Sequence, residues 1–563
     1  MEDIKSEIRK LALLNAIRYE GKAQVSSVIG MLLSIDPNLK NELKNLGKDI
    51  SKTVQEVNSL SIEQQREEVE KIDPALLIEK KKEERKDLPD LKNAEKGKVV
   101  TRIPPEPSKY NHIGHALSFL INYLYAKKYE GKCILRFEDT NPEKEEQEYV
   151  DSMKQDVLEY LDIHPDDIVF VSDHLQKYYE LAEQLINDGK AYVCFCDKDI
   201  MKDLRNKGLQ CEHRNHEKSQ NLDFWKKMLS KKFSEGKATL RLLIDMESLN
   251  HVLRDPVIMR IVLKKHYRQG KKYSVWPMYD FENAIEEHLC GVTHILRSNE
   301  FGNMRWELQN HIKDLLKLNK QTLVDYGRFN VVGAITQGRE IRQLIEEKKV
   351  LGWDDPRLVT LKALRRRGIV KESYYELVKE VGLSKTQTNI DFSIIAAINR
   401  RLLNAESNRY FFIKEPVKVT IKKAPELNLN LNLHPDKRTG GRNFKTSSKF
   451  ILDKEDFDQL EDGNLYRLME CLNFSKKGDS FVFNSLDVET YKSNGKKIIH
   501  WLPNNKDNIK VEVLMPDATL IKGLAEPTVK SIKEGQVVQF ERFGFCRLDK
   551  IKKNKQLFWY CHK

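Results

Sequence analysis

The sequence predicts a multidomain protein of the α/β plus β class. Its 563 residues exceed what one hydrophobic core supports, so several domains are expected. From residue 98 to about 400, short apolar strands alternate with helical stretches, as in a βαβ sheet domain with insertions. After Asn404 short apolar runs are separated by Gly, Asn, Asp and Pro, which predicts an all-β region built of barrels.

The first elements are predicted to be helices. Ile4, Ile8 and Leu11 recur at helical spacing, and similar spacing continues to about Leu60, which indicates a small helical module. The stretch "LIEKKKEERKDLPDLKNAEKGK" that follows is highly charged, so we expect a solvated linker or exposed helix and a domain boundary near residue 97.

A strand, a proline-rich corner and a helix follow this boundary. "KVVTRI" is typical of a strand and "IGHALSFLINYLYAKKY" of a helix, so His112 and His115 fall at the helix N-terminus, on one face. Unpaired N–H groups and the helix dipole make such an end an anion site. Gly114 allows a flat base or a phosphate to approach the backbone. The segment therefore predicts a site for a nucleoside triphosphate.

Composition limits the remaining choices. The net charge of +12 favours a polyanionic partner, although a lysine-rich solvated surface gives the same value. No window is apolar enough for a membrane span, and the start "MEDIKSEIRK" lacks the apolar core of a signal peptide. We expect a cytoplasmic protein that does not bind membranes and whose eight cysteines are reduced thiols or metal ligands.

Four of the potential metal ligands are clustered in the chain. Cys194 and Cys196 form a C-x-C pair, and Cys211 and His213 form C-x-H after a short helical span. Three thiolates and an imidazole suit tetrahedral Zn²⁺. The alternative is four reduced residues without a metal.

Several stretches carry a family resemblance. The string "PPEPSKYNHIGH" resembles the HIGH signature of class I aminoacyl-tRNA synthetases, and "CILRFEDTNPEKEEQEY" resembles the sequence that follows it in the glutamyl and glutaminyl group. Further agreement lies in "WPMYDFENAIEEHLCGVTHILRSNEF", "GWDDPRLVTLKALRRRGI", "IDFSIIAAINRRLLN" and "VVQFERFGF". The resemblance runs from about residue 98 to the C-terminus, and the N-terminal helices look like the extension of archaeal-type glutamyl enzymes.

The resemblance implies a Rossmann-like catalytic domain with an insertion, between a helical module and a β-barrel anticodon-binding region. The implied divisions are 1–97 for the helical module and charged linker, 98–193 and 273–404 for the two catalytic halves and helical connector, 194–272 for the acceptor-end insertion with the zinc candidates, and 405–563 for the barrels. In the barrels Arg438, Arg442 and Arg542 are candidates to contact phosphates or stack on bases, and the alternative for each taken singly is a solvated surface charge.

Two arginines favour glutamate over glutamine as the substrate. A buried carboxylate needs a guanidinium partner, whereas an amide needs a neutral donor and acceptor. Arg102 precedes the prolines, and Arg297 stands where the similar glutaminyl enzymes usually carry a smaller uncharged residue. By resemblance, Glu138 would receive the α-ammonium group of the ligand and Tyr279 would donate a hydrogen bond to it.

The chain departs from the family at its second signature. The lysine-bearing KMSKS loop should lie near residues 334–340, where "AITQGRE" contains no lysine. Gln337 or Gly338 occupies the place of the key lysine, depending on the alignment, and Arg339 is the only cation in reach. Lys109, beside the first signature, stands where glycine is usual.

The implied activity is glutamate–tRNA ligation. The chain would activate glutamate with ATP and Mg²⁺ and transfer it to tRNA(Glu), with tRNA(Gln) left open as a second substrate. The implied ATP-binding residues are Pro105, His112, Gly114, His115 and Arg339, of which both histidines and Arg339 are the catalytic candidates. A monomer is expected, with a protein partner for the helical module left open.

Three alternatives remain at this point. The closest is a glutaminyl-tRNA synthetase, which Arg297 and the C-x-C segment disfavour. The missing lysine motivates a paralogue that has lost activation and serves as an RNA-binding or partner protein. A small-molecule adenylate-forming ligase would have no use for the β region after Asn404.

Overall fold

The computed structural model describes residues 2–19, 21–35, 39, 43–72, 88–553 and 555–563. Two compact units divide the chain, Met1–Lys86 and Asp87–Lys563. The first half of the predicted charged linker, residues 77–87, lies outside the described residues. None of the helices within the described ranges has the length and apolar character needed to cross a membrane.

The first unit is helical, as the apolar spacing predicts. Its helices are α1 (Glu2–Arg18), α2 (Val25–Ile35), α3 (Leu43–Asn58) and α4 (Ile62–Ile72). Ile8, Ala12, Val28, Val54 and Val69 are among the buried residues of its core. These apolar positions follow helical spacing, so each helix turns one face inward.

The second unit begins with alternating strands and helices. The strands are β1 (Val100–Ile103), β2 (Lys132–Phe137), β3 (Asp167–Phe170), β4 (Ala191–Cys194), β5 (Thr239–Leu242), β6 (Val257–Ile261), β7 (Val275–Pro277), β8 (His294–Ser298), β9 (Thr322–Tyr326), β10 (Phe329–Val331) and β11 (Thr388–Ile390). The helices are α5 (Ile113–Lys128), α6 (Gln147–Lys154), α7 (Leu175–Asn187), α8 (Lys198–Lys207), α9 (Lys218–Leu229), α10 (Tyr279–Leu289), α11 (Gly302–Leu316), α12 (Gly338–Glu346), α13 (Leu361–Arg367), α14 (Lys371–Val381) and α15 (Phe392–Asn404).

Parallel pairing dominates the first part of this region. Strands β1, β2 and β3 form a parallel sheet, β8 pairs in parallel with β9, and β10 pairs in parallel with β11. The three-stranded sheet and the β8–β9 pair lie side by side, because the Thr293 N–H donates to the Val100 carbonyl at 3.0 Å. Carboxyl ends of parallel strands are the usual ligand site of such folds. The cavity described below lies at the ends of β1, β2, β8 and β9.

A separate antiparallel sheet interrupts this part. Strands β4, β5, β6 and β7 pair in that order, and α8 and α9 lie in the connection between β4 and β5. Trp225, Leu240 and Met259 are fully buried in the adjoining core.

The C-terminal region is built of strands. They are β12 (Arg409–Tyr410), β13 (Phe412–Ile413), β14 (Pro416–Lys422), β15 (Asn428–His434), β16 (Arg438–Lys445), β17 (Lys449–Asp453), β18 (Leu465–Leu468), β19 (Asn473–Lys477), β20 (Ser480–Ser485), β21 (Gly495–Ile499), β22 (Leu502–Pro503), β23 (Ile509–Leu514), β24 (Leu520–Ala525), β25 (Val537–Phe540), β26 (Gly544–Lys552) and β27 (Lys555–His562), with short helices α16 (Lys454–Asp458) and α17 (Val488–Asn494).

Two seven-stranded sheets in this region curl toward closure. The first runs β12-β25-β26-β27-β23-β24-β13 and the second β21-β18-β19-β20-β14-β17-β22. In each order the two edge strands are neighbours in the chain, joined by Phe411 in one sheet and by His500 and Trp501 in the other. The chain therefore connects both edges of each sheet, which gives the barrel-like form that the turn-rich sequence predicts.

Candidate active site

A cavity of about 620 Å³ opens at the N-terminus of α5. It brings together most residues that the sequence singles out: Arg102, Pro105, His112, Gly114, His115, Glu138, Tyr279 and Arg297. Arg339 is not among the lining residues. One cavity thus unites side chains from β1, β8 and α10 with the signature histidines.

The two histidines cap α5 reciprocally. His112 is the N-cap, and its Nδ1 accepts from the Gly114 N–H at 3.1 Å. His115 Nδ1 accepts in turn from the His112 N–H at 3.1 Å. A neutral imidazole that accepts at Nδ1 carries its proton on Nε2. Both rings therefore hold an Nε2–H donor available to a ligand.

Both imidazoles are neutral near physiological pH. Burial, followed by the charges of Lys109 and Arg328, lowers the pKa of His112 to about 3. Burial and the neighbouring His112 and Lys109 also lower the pKa of His115 well below its ordinary value. The pair therefore offers polar N–H groups, not full positive charges, to an anion.

The structure gives a second reason for glycine at position 114, in addition to the expected close approach of a ligand. A Cβ at this position would lie 3.0 Å from His112 Cε1, 3.2 Å from its Nδ1 and 3.5 Å from the Phe329 carbonyl oxygen. A larger residue would therefore displace the capping ring.

Arg102 is buried and partly neutralised. Its Nε donates to Glu287 at 2.8 Å, and Arg136 Nη2 donates to the same oxygen at 3.2 Å. Burial alone would raise the pKa of Glu287, but the charges of Arg102 and Arg136 lower this pKa to about 2. Glu287 thus stays ionised and cancels part of the positive charge at this end of the cavity.

Arg297 keeps its full charge. It is 6% exposed, and its Nη1 donates to the neutral Gln309 side chain at 3.1 Å. The guanidinium also lies 5.6 Å and 5.5 Å from the ring centres of Phe301 and Trp306. No carboxylate within the described ranges forms an ion pair with it. A buried charge of this kind calls for an anionic ligand.

Glu138 and Tyr279 complete the ligand-facing wall. Glu138 accepts from Arg136 at 2.9 Å and from Asn283 at 3.3 Å, and still lines the cavity. The ring of Tyr279 stacks on Phe301 at 5.7 Å, and burial raises the pKa of its hydroxyl, which therefore remains a donor.

The lysine-free loop leads directly into α12. Gln337 is the N-cap of this helix, and Arg339 is exposed on its first turn. Arg342 Nη2 donates to the Ser108 carbonyl at 3.0 Å, so the helix is tied to the proline-rich corner. The structure does not bring Arg339 into the cavity, and its catalytic role remains a prediction.

The four potential zinc ligands converge. The ligand atoms of Cys194, Cys196, Cys211 and His213 all lie within 4.8 Å of one another. The Cys194 and Cys211 sulfurs are 3.8 Å apart, and Cys196 Sγ is 3.5 Å from His213 Nδ1. Tetrahedral Zn²⁺ with Zn–S bonds of about 2.3 Å separates its sulfurs by about 3.8 Å. The donor set and its spacing therefore fit zinc.

Sequence reasoning missed the partners of the predicted residues. Glu287 and Gln309 hold Arg102 and Arg297, but both lie in helices whose register in space depends on the fold. Lys109, noted only as a departure, lines the cavity.

The barrel arginines differ from expectation in one case. Arg442 is buried, with Nη2 2.7 Å from Glu526 and Nη1 3.1 Å from Glu541, so it is a structural ion pair and not a free contact for RNA. Arg542 forms a two-bond pair with Asp456, and Arg438 is exposed.

Comparison with known proteins assigns the family. The family model "tRNA synthetases class I (E and Q), catalytic domain" matches residues 98–405. Two models described as anti-codon binding domains of the same class match 407–489 and 498–549.

Full-length relatives agree with these matches. The chain is 41% identical to a glutamate–tRNA ligase of Pyrococcus furiosus over 570 residues, covering 98% of this chain and 99% of the relative. It is 41% identical to that of Pyrococcus abyssi with the same coverage, and 38% identical to that of Thermococcus kodakarensis over the full length of both. With the capped histidines and the cavity around them, these matches make the chain a member of the class I tRNA synthetases of the E and Q group.

Proposed function

We propose that the chain is a glutamate–tRNA ligase of the type found in its archaeal relatives. The observation that carries this assignment within the family is the buried Arg297, whose charge has no carboxylate partner among the described residues. A glutamine amide would leave that charge uncompensated, whereas the side-chain carboxylate of glutamate pairs with it.

The first step is activation of glutamate. An α-carboxylate oxygen forms a bond to the α-phosphorus of MgATP, while the bond from that phosphorus to the bridging oxygen breaks. The electron pair leaves with pyrophosphate, and glutamyl-adenylate remains. The Nε2–H groups of His112 and His115 would donate to phosphate oxygens, and the N-terminus of α5 favours the same negative charge.

The second step transfers the glutamyl group to tRNA. The 2′-hydroxyl oxygen of the terminal adenosine forms a bond to the carbonyl carbon of the adenylate, and the bond from that carbon to the phosphate oxygen breaks. AMP leaves with the electron pair and takes up the hydroxyl proton on its phosphate. No protein nucleophile is required, so the protein contributes positioning and electrostatic stabilisation. The region matched by anti-codon binding models would hold the far end of the tRNA.

The amino-acid pocket would use opposite charges at its two ends. Glu138 would receive the α-ammonium group, and Arg102, Arg297 and the Tyr279 hydroxyl would hold the carboxylates. Pro105 and Gly114 line the ATP side of the same cavity. Arg339 would join only if the start of α12 moves toward the cavity.

Zn²⁺ at Cys194, Cys196, Cys211 and His213 would pin β4 to the turn that follows α8. Bound there, zinc supplies a structural crosslink. The cluster belongs to the acceptor-end insertion that we propose for residues 194–272, within the division of the chain given above.

The direct test is pyrophosphate exchange with each amino acid, run with and without tRNA. We expect exchange with glutamate and with no other amino acid, followed by charging of tRNA(Glu). Exchange with glutamine would favour a glutaminyl enzyme, and no exchange with any amino acid would favour the inactive paralogue. Charging of tRNA(Gln) with glutamate is measured in the same assay.

A further inference from the structure

Lys109 is a cation of the cavity without a protein partner. Its side chain is half-buried and lines the cavity beside His112, yet the ammonium has neither a hydrogen bond nor an ion pair within the described ranges. The other lysine and arginine side chains of the cavity are engaged, Arg102 with Glu287, Arg260 with Glu143, Arg297 with Gln309 and Arg328 with Glu300. Lys109 therefore has a charge available to a ligand.

The stem of Lys109 lies against the first residue of α12. A Cβ at Gly338 would be 3.0 Å from Lys109 Cβ and 3.3 Å from its Cδ. The bond from Arg342 to the Ser108 carbonyl, 3.0 Å long, holds the two segments together. Lys109 thus fills the space that a side chain at Gly338 would need.

The charge of Lys109 reaches both signature histidines. It contributes to the lowered pKa of His112 and of His115. Burial lowers the pKa of Lys109 itself, while Glu106 and Glu300 act in the opposite direction. Lys109 and both histidines line the same cavity, so the ammonium and the two Nε2–H donors face a common ligand space.

Activation needs positive charge where pyrophosphate leaves, because negative charge grows there as the bond to the α-phosphorus breaks. The loop at 334–340 offers no lysine, and Arg339 stands outside the cavity. We propose that the Lys109 ammonium contacts the β- and γ-phosphates of ATP and stabilises the departing pyrophosphate. This role rests on the proposed function.

In the alignment that puts Gly338 in the place of the key lysine, glycine and lysine have exchanged places across one contact. Lys109 extends from the proline-rich corner toward the space above Gly338, and Gly338 provides the room that its stem requires. Gly338 does not have a positive φ, so its backbone admits other residues; a Cβ there would press on the Lys109 stem and would also touch Arg342 Nη2 at 3.5 Å. This reciprocity predicts that a lysine moved to Gly338 can replace Lys109, provided that position 109 is glycine.

The experiment measures pyrophosphate release in a single turnover of the full-length protein, with saturating glutamate, ATP and tRNA(Glu). Lys109→Met keeps an apolar stem but removes the charge. Lys349→Met is the matched control, because Lys349 is exposed and pairs with Glu347 away from the cavity. Circular dichroism and the thermal midpoint report whether each variant is folded.

Lys109→Met should release pyrophosphate about 100-fold more slowly than the wild type, as for loss of one preorganised electrostatic donor. Glutamate affinity and the Lys349→Met rate should not change. The double variant Lys109→Gly/Gly338→Lys should be at least about tenfold faster than Lys109→Gly alone, whereas Gly338→Lys in the wild-type background should be slowed by its contact with Lys109.

Three results would overturn the proposal, and they are distinguishable. A wild-type rate in Lys109→Met would remove Lys109 from the reaction while leaving glutamate–tRNA ligation intact. A double variant no faster than Lys109→Gly would refute the exchange of positions. A wild type that releases no pyrophosphate with glutamate would overturn the proposed function and this role with it.

Discussion

At the residue scale, Arg102 and Arg297 of the cavity differ in what neutralises them. Arg102 shares Glu287 with Arg136, so part of its charge is already balanced. Arg297 meets a neutral amide, Gln309, and aromatic rings. Because an uncompensated buried charge attracts an anion more strongly, we infer that Arg297 holds the side-chain carboxylate that distinguishes glutamate from glutamine.

Arg297→Ala should therefore abolish glutamate use while ATP binding persists. Truncating one partner of a buried charged pair costs about 2 to 5 kcal/mol, so the KM for glutamate should rise at least about 30-fold. Steady-state charging over a range of glutamate concentrations checks this. Arg297→Lys is the matched variant and should recover only part of the loss, because a point charge cannot reproduce two parallel hydrogen bonds. Unchanged charging by the alanine variant would contradict the assignment.

The capping histidines make a second prediction, on pH. The pKa of His112 is about 3 in the folded protein against 6.5 ordinarily, so the unfolded chain binds the proton first as the pH falls. Its contribution to stability is complete above about pH 6.5 and is lost progressively toward pH 3. The thermal midpoint of the wild type should accordingly fall more between pH 7.5 and pH 5 than that of His112→Asn, which keeps an N-cap acceptor but does not titrate. An equal fall of the thermal midpoint in the wild type and in His112→Asn would show that His112 is not held neutral.

At the element scale, the antiparallel insertion depends on a cluster between two of its segments. Cys194 ends β4, whereas Cys211 and His213 follow α8, so the contact closes a loop that contains a whole helix. Arg241 of β5 lies 3.7 Å and 3.6 Å from the Cys194 and Cys211 sulfurs. The hydrogen bond with Cys194 and the charge of Arg241 lower the pKa of the Cys211 thiol and so favour its thiolate, the form that binds metal, whereas the hydrogen bond with Cys211 and burial raise the pKa of Cys194.

We expect about one zinc per chain in protein prepared without chelator, by analogy with other sites of this ligand set. Cys194→Ser should lose the metal and lower the thermal midpoint. Cys471→Ser is the control, because Cys471 is a buried cysteine in the C-terminal region. Elemental analysis of the purified proteins decides the point. Zinc-free wild-type protein would leave a cluster of reduced side chains.

At the scale of the whole molecule, the catalytic half and the barrels meet at α13. Arg366 forms two bonds of 2.7 Å with Asp549 of β26 and stacks on Trp559 at 4.2 Å. Arg367 donates to the Cys561 carbonyl at 3.1 Å. These contacts join the barrels to the catalytic half, so a tRNA held at both places would span this junction.

Asp549→Asn should weaken tRNA charging without slowing adenylate formation. The pair is partly exposed, so we expect only about a threefold to tenfold rise in the KM for tRNA(Glu). Glu489→Gln makes the same chemical change in an exposed pair with Lys492 and should have no effect. Single-turnover pyrophosphate release and steady-state charging separate the two steps. A slower first step in Asp549→Asn would show that the junction also shapes the cavity.

The sequence alone determined the order of elements, the family and most of the cavity. Apolar spacing predicts the helical module, turn residues predict the barrels, and the strand-to-helix corner predicts that His112 and His115 meet a nucleotide, because each signal depends on residues close in the chain. The C-x-C and C-x-H segments likewise predict the cluster that the fold assembles.

Only the tertiary structure decided which charges are free. Arg442, expected to contact RNA, is buried on Glu526, and Arg339, expected at the triphosphate, is exposed outside the cavity. Lys109 instead lies in the cavity against Gly338, more than two hundred residues away in the chain. A charge acts through the groups that surround it in space, and those groups come from distant segments whose packing local patterns do not specify.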